Sequence, residues 1–204
     1  MDAAFCTAWL EEAAGAVAEG RERLTALDSA IGDGDHGANL DRGFSEVRQA
    51  LAAGGAGQPL TVAGVTLIRK VGGASGPLYG SALRAMGKAL AEEFTVADFA
   101  AAFQAGVDEV ARLGKAEEGD KTMLDALGPA ARALALAVGE GAGAREAFER
   151  AARAAREGAA ATVPMVARKG RASYLGERSA GHEDPGAASS AMILDALAAV
   201  GARW

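Results

Sequence analysis

The chain has a single cysteine, Cys6, among 204 residues. It therefore forms no internal disulfide and offers no cysteine-based zinc set, and nothing in it points to an oxidising compartment. Aromatic residues make up only 5% although hydrophobic residues make up 50%. The excess is Ala and Leu rather than β-branched residues, which favours helices. Positive charge is also scarce. There are 21 Lys and Arg against 27 Asp and Glu, a formal net charge of -6. No Lys/Arg block or basic-aromatic stripe offsets it, so nucleic acid is not an expected partner, and a bound phosphate calls for a mediating cation. The first twenty residues carry Glu11, Glu12 and Glu19 and no basic n-region, and no apolar run approaches the roughly 18 residues that span a bilayer. The expectation is a soluble, cytoplasmic chain with no membrane partner. No linker long enough to divide it is visible, so residues 1–204 are expected to form one domain around one sizeable core.

What is present reads as all-α. Phe5, Trp9, Ala13, Ala16, Val17 and Leu24 lie near helical spacing and predict a first helix over 3–27, with Asp28 at its end. Further helices are expected at 38–53, after the Gly-rich break 54–57 at about 61–71, and at 77–93 with Pro77 in the first turn, where its missing N–H is not needed. Thr95 and Asp98 resemble a capping box that opens a helix to about 113. Helices at 122–137 and 143–160 follow, the latter with Glu146/Arg150 and Glu149/Arg153 spaced for ion pairs on a wet face. The last runs from Pro185-Gly186 to about 202. Between these eight helices lie four glycine-rich segments, Gly32 to Gly37, Gly72 to Gly76, Gly114 to Asp120 and Lys169 to Gly186. Loops gathered at one end of a bundle would form a polar mouth over an apolar body.

The densest segment is Leu27-Asp28-Ser29-Ala30-Ile31-Gly32-Asp33-Gly34-Asp35-His36-Gly37-Ala38-Asn39. Its glycines permit left-handed backbone, so Asp33 and Asp35 can turn towards one point that Asp28 approaches from the preceding helix end. Three converging anions repel one another unless a hard divalent cation lies between them, and Mg²⁺ suits a few carboxylates completed by waters and phosphates. The alternative is a solvated Asp-Gly turn. EF-hand spacing fails from either aspartate. Gly32, Gly34 and Gly37 also spell G-x-G-x-x-G, but no strand precedes them and two aspartates would face the pyrophosphate; no P-loop is present either. An anion at a helix N-terminus remains, with His36 to Asn39 donating.

The other segments are weaker taken singly. Ser75 in Gly72-Gly73-Ala74-Ser75-Gly76-Pro77-Leu78-Tyr79-Gly80 can cap a helix or bond a phosphate, or the segment is a tight interhelical turn. As a nucleophile Ser75 lacks the strand and partners of a G-x-S-x-G elbow. In Gly119-Asp120-Lys121-Thr122-Met123, Asp120 or Thr122 is a candidate cap and Met123 a core residue or the cover of a flat base. In the loop Gly170 to Gly186, Arg171 and Arg178 can neutralise phosphate or remain solvated, Asp184 can cap the last helix, and His182 can brace the loop. His36, beside two candidate ligands, reads as a phosphate or wall contact rather than a base. No Ser-His-Asp set is visible, nor a base for a small substrate.

In this order, Gly32-Asp-Gly-Asp-His-Gly with Asn39, Gly73-Ala-Ser-Gly-Pro-Leu-Tyr-Gly, Gly119-Asp-Lys-Thr-Met, and Gly170-Arg-Ala-Ser-Tyr-Leu-Gly-Glu-Arg-Ser with His182-Glu-Asp-Pro-Gly resemble the nucleotide-binding L subunits of dihydroxyacetone kinases over essentially the whole chain. The resemblance implies an eight-helix antiparallel up-and-down barrel with ADP or ATP and two Mg²⁺ ions in the loops at one end. It implies metal binding by Asp28, Asp33 and Asp35, and places His36, Gly37, Ala38, Asn39, Ser75 and Gly76 around the phosphates. Gly119, Thr122, Met123, Arg171, Asp184, Pro185 and Gly186 would enclose the nucleotide. Leu40, Glu183 and Ala188 stand where the family more often has Met, Gln and Thr. In such kinases the γ-phosphoryl group goes to dihydroxyacetone held on a separate K subunit, and in the phosphoenolpyruvate-linked version an M subunit rephosphorylates resident ADP. That version is the expectation here. The alternatives are an ATP-dependent kinase subunit for dihydroxyacetone or a related keto-sugar, a nucleotide-sensing interaction protein without transfer, and the related N-terminal domain of fatty-acid kinases.

Overall fold

The computed structural model describes residues 1–54 and 57–204, so part of the expected break at 54–57 lies outside the described residues. Among the described residues eight α-helices succeed one another: α1 (Ala3–Ile31), α2 (His36–Ala52), α3 (Pro59–Lys70), α4 (Ser75–Ala89), α5 (Val96–Gly114), α6 (Leu124–Gly139), α7 (Ala144–Ala161) and α8 (Pro185–Gly201). A 3-10 segment, Arg171–Ser179, precedes α8, and no strand occurs among the described residues. Each helix packs on its neighbours in sequence, and α8 returns to pack on α1, which closes the ring. In such an up-and-down ring alternate connections share one end. The links α1–α2, α3–α4, α5–α6 and α7–α8 therefore lie together, and these are the four glycine-rich segments. No described helix is long and apolar enough to cross a membrane.

The helix ends follow local chemistry. Asp2 caps α1 by accepting from the N–H groups of Ala4 and Phe5. Gln58 does the same for α3, with Pro59 in its first turn. The capping box at Thr95 and Asp98 is present in full. Asp184 accepts from the Ala187 N–H at the head of α8, where Pro185 needs no donor. Some boundaries move. With no breaker before Gly32, α1 continues a turn beyond the expected 27 to Ile31, which carries Asp28 inside its last turn. Helix α4 starts at Ser75 and stops at Ala89 rather than 93, because Leu90 turns extended and the Phe94 N–H bonds the Met1 carbonyl. On α7, Arg150 pairs with Glu146 as expected, but Glu149 pairs with Arg145 rather than Arg153.

Small residues let the helices approach closely. Aromatic side chains gather away from the glycine-rich mouth: Phe99 meets Phe148 at 5.2 Å and Trp9 at 5.6 Å between ring centroids. Trp9 is buried, and its Nε1–H donates to the Ile193 carbonyl at 2.9 Å. In α6, Pro129 has no N–H to give the Asp125 carbonyl, and Gly158 of α7 packs directly on that oxygen, where any Cβ would overlap it. Cys6 is buried and its thiol is pushed up to about 12, chiefly by loss of solvent, so it is an inert core residue.

Candidate functional site

At the glycine-rich end a cavity of about 490 Å³ opens between the four links. The three expected carboxylates meet at one side of it. Asp28, Asp33 and Asp35 each offer an oxygen within 4.8 Å of the other two. Two features of the backbone bring them together. Gly34 has φ +74, a left-handed conformation that reverses the chain between Asp33 and Asp35. Asp28 Oδ2 accepts the N–H groups of Asp35 and His36 at 2.8 and 3.0 Å, so this side chain also caps α2. Its other oxygen lies over Gly32, where a Cβ would overlap it. Asp28 is buried, whereas Asp33 and Asp35 are exposed. The exposed pair can therefore meet a hydrated ion, and three oxygen donors of this charge suit Mg²⁺ with phosphate or water completing its shell.

The walls combine apolar and cationic groups. Ile31, Leu78, Val110, Leu113, Met123 and Leu124 supply an apolar face, and Arg171 Nη2 lies 2.8 Å from Asp33 Oδ2. That arginine is placed by a small cluster of Ile31, Ala167 and Ala172, with Leu175 packed against it, which ties the 3-10 segment to the end of α1. His36 is buried; its Nε2 is 2.9 Å from Ser189 Oγ and its Nδ1 3.4 Å from Ser75 Oγ. Burial lowers its pKa more than Asp28 and Asp35 raise it, so the ring is neutral at pH 7 and serves as a wall. Tyr79 braces α8 from α4 through Ser189 and Ser190, at 2.7 and 2.8 Å.

Of the residues expected at the site, Asp28, Asp33, Asp35, His36, Ser75, Thr122, Met123, Arg171, Asp184, Pro185 and Gly186 line the cavity. Gly37, Ala38, Asn39, Gly76 and Gly119 do not, and the reasons are local. Gly37 is the contact of α2 with α1, where a Cβ would overlap the Arg21 carbonyl. Ala38 lies in the first turn of α2, behind the cap formed by Asp28. Asn39 Oδ1 accepts from Arg42 at 2.7 Å. Gly76 is closed against Val71 and the end of α3, and the Gly119 N–H is bound to Asp125 Oδ1. Ser75 does not cap α4, which has no side-chain cap. The Asp125 carboxylate, rather than Asp120, holds the head of α6 by accepting from Gly119 and Thr122, although Thr122 Oγ1 does accept from the Leu124 N–H. Of the three family departures, Glu183 pairs with Arg23 at 2.6 Å, and Leu40 and Ala188 are buried in the core.

Asp184 is buried beside the cavity. Loss of solvent, and to a lesser degree the nearby Asp125, push its carboxyl up to about 7 against the lowering effect of the Ala187 N–H. With a folded pKa above the unfolded one, the native state holds the proton longer, so this group's contribution to stability is full below about pH 4 and is lost as pH rises towards 7. The stability difference between wild type and Asp184→Asn is therefore expected to tilt across that window, by no more than about 1.4 kcal/mol per pH unit. Urea unfolding at pH 4, 5.5 and 7 measures it; a difference that stays level with pH would refute the assignment.

Comparison with known proteins identifies the family. The DAK2 domain family model matches residues 30–199. The PEP-dependent dihydroxyacetone kinase, ADP-binding subunit DhaL of Escherichia coli (strain K12) is 42% identical over 195 residues, covering 93% of each chain. The PEP-dependent dihydroxyacetone kinase 1, ADP-binding subunit DhaL of Listeria innocua is 41% identical over 193 residues, covering 93% of this chain and 92% of that one. The crystal structure of the dihydroxyacetone kinase from C. freundii in complex with AMP-PNP and Mg²⁺ superimposes with a TM-score of 0.73 at 29% identity. It covers 96% of this chain, which spans about a third (34%) of that longer one. A ring of eight helices with its glycine-rich links at one end, and such identity along nearly the whole length, lead to one conclusion: the chain belongs to the dihydroxyacetone kinase L-subunit (DhaL) family and carries its DAK2 domain.

Proposed function

We propose that residues 1–204 act as one nucleotide-binding unit, which binds ADP or ATP with two Mg²⁺ ions and passes the γ-phosphoryl group to dihydroxyacetone held on a separate K subunit. The observation that carries this reading is the meeting of Asp28, Asp33 and Asp35 at the edge of an apolar-walled cavity. Relatives named as ADP-binding subunits and a relative crystallised with AMP-PNP and Mg²⁺ support it. The three carboxylates would hold the ions, and magnesium, when bound, stabilises charge on the β- and γ-phosphate oxygens during an in-line transfer. The apolar face from Leu78 to Leu124 takes the base, excluding water from it. Arg171, now on Asp33, is within reach of phosphate oxygens and adds positive charge where it develops. His36 and Ser75 shape the wall between them.

Among the described residues that line the cavity, none outside the three metal-binding carboxylates stands as a free general base. His36 is neutral but has both nitrogens beside hydroxyls, and Asp184 is committed to the α8 cap. This fits an acceptor presented by a separate K subunit, which would supply its own proton acceptor. This chain contributes position and electrostatics. The names of the similar L subunits favour the phosphoenolpyruvate-linked version, with ADP retained and rephosphorylated by an M-type phosphocarrier.

Calorimetric titration with ADP is expected to show tight binding in excess Mg²⁺ and at least tenfold weaker binding after chelation, since the bare carboxylates and phosphates repel. Equal affinity with and without Mg²⁺ would remove the metal-bridged reading. Supplying the K subunit, an M-type phosphocarrier and labelled phosphoenolpyruvate should then yield labelled dihydroxyacetone phosphate. Binding of ADP with no labelled product under those conditions, or with ATP, would instead make the chain a nucleotide-responsive regulator.

A further inference from the structure

Lys121 is one of two non-glycine residues with positive φ among the described residues, at φ +61, and it is also one of the largest fully buried side chains. A left-handed lysine costs of the order of 1 kcal/mol, and a buried ammonium costs more unless its donors are satisfied. Here they are. Nζ donates to the carbonyls of Met165, Ser179 and His182 at 3.0, 2.6 and 2.6 Å, one acceptor for each of its three hydrogens.

The three acceptors bracket the segment that carries Arg171. Met165 precedes the 3-10 segment, Ser179 ends it, and His182 stands two residues before Asp184. Among the described residues, one further hydrogen bond ties the segment to the α5–α6 link, Arg168 N–H to the Asp120 carbonyl at 3.0 Å. Lys121 thus joins two neighbouring parts of the cavity lining: the Thr122-Met123 turn on its own side, and the stretch that carries Arg171 and Asp184–Gly186 beside it. The closeness is visible at Gly186, where a Cβ would come within 3.4 Å of the Met123 nitrogen. An ammonium coordinated by three carbonyls does the work of a bound monovalent cation, with the advantage of being covalently attached to one wall.

We infer that Lys121 is a positioning residue: its ammonium latches the 163–184 segment to the α5–α6 link at the wall of the nucleotide cavity and so sets nucleotide affinity without touching the reacting atoms. This rests on the cavity being the nucleotide site. Lys121→Met keeps the apolar stem and removes the charge. It is expected to raise amide hydrogen exchange in 163–184 at least tenfold while α1 to α4 are unchanged, and to weaken Mg-ADP binding about tenfold. At saturating nucleotide, transfer in the reconstituted system should return to within about threefold of wild type, a KM effect rather than a kcat effect. A purely structural role would lower thermal stability and leave the affinity alone. Lys121→Gly relieves the left-handed backbone and keeps the test open should the Met variant fold poorly. In it, added butylammonium, but not butanol, should restore part of the ADP affinity. Unchanged exchange in 163–184, an ADP affinity within twofold of wild type, or equal rescue by butanol would each overturn the latch. Failure of wild type to bind Mg-ADP would overturn the site reading instead, so the two failures are distinguishable.

Discussion

Asp33→Ala is expected to lower phosphoryl transfer to dihydroxyacetone in a reconstituted K-subunit mixture by at least about a thousandfold, and Asp35→Ala to do the same. Metal-held charge stabilisation is worth several kcal/mol in such reactions, and about 4 kcal/mol corresponds to three powers of ten in rate. The folded state should scarcely notice the loss of Asp33. Its side chain is exposed and its ion pair is with Arg171, itself largely exposed, a kind of pair worth at most about 1 kcal/mol. Asp28→Ala provides the contrast. That carboxylate caps α2 through two backbone N–H groups, so the variant should lose transfer and also about 1 to 2 kcal/mol of stability. Turnover and urea unfolding of all three variants check this. An Asp33→Ala protein that keeps a tenth of the wild-type turnover would sink the metal-ligand assignment.

The second large effect concerns the frame. Gly64→Val is expected to destabilise the fold by about 3 kcal/mol and to lower Tm by roughly 6–12 °C. At the seam of α3 and α4 the two backbones touch. A Cβ on Gly64 would overlap the Gly80 carbonyl, and one on Gly80 would come within 2.5 Å of the Gly64 carbonyl. Neither obstacle is a side chain that can swing aside, so the helices must part, and α4 carries Ser75 at its cavity end. Gly15→Ala is the control: it lies inside α1 with nothing within 4 Å of its would-be Cβ, and replacing a mid-helix glycine there should be neutral or stabilising by up to about 1 kcal/mol. Denaturant unfolding compares the pair, and a Gly64→Val protein as stable as wild type would show that the seam can yield.

The sequence makes much of this visible, for identifiable reasons. Thr95-Asp98 and Asp184-Pro185 declare helix starts by local hydrogen bonding alone, and both are realised. The alternation of helices with glycine-rich links already implies a shared mouth, because an up-and-down chain returns every second link to the same end. The convergence of Asp28, Asp33 and Asp35 is likewise local, a matter of eight residues and one left-handed glycine. What escapes is non-local. The sequence offers Gly37 only as a phosphate-binding glycine, and does not announce that Arg21, sixteen residues earlier on the neighbouring helix, packs against it. Lys121 stands in a recognisable motif, yet nothing in the order of residues announces acceptors 44 to 61 positions away. The apolar face of Leu78, Val110 and Leu113 comes from two helix ends, the head of α4 and the tail of α5, and each residue alone reads as ordinary core.

The closure of the ring by α8 against α1 also settles where the two ends of the described chain lie. The Met1 ammonium bonds the Phe94 carbonyl at 2.9 Å, and Trp204 meets Phe5 at 5.6 Å between ring centroids, so first and last residues share the pole opposite the mouth. The 29 residues of α1 separate the two poles by roughly 40 Å. A surface tether or fluorescent fusion attached at either terminus would hang from this blunt pole, leaving the glycine-rich face turned outwards and unobstructed.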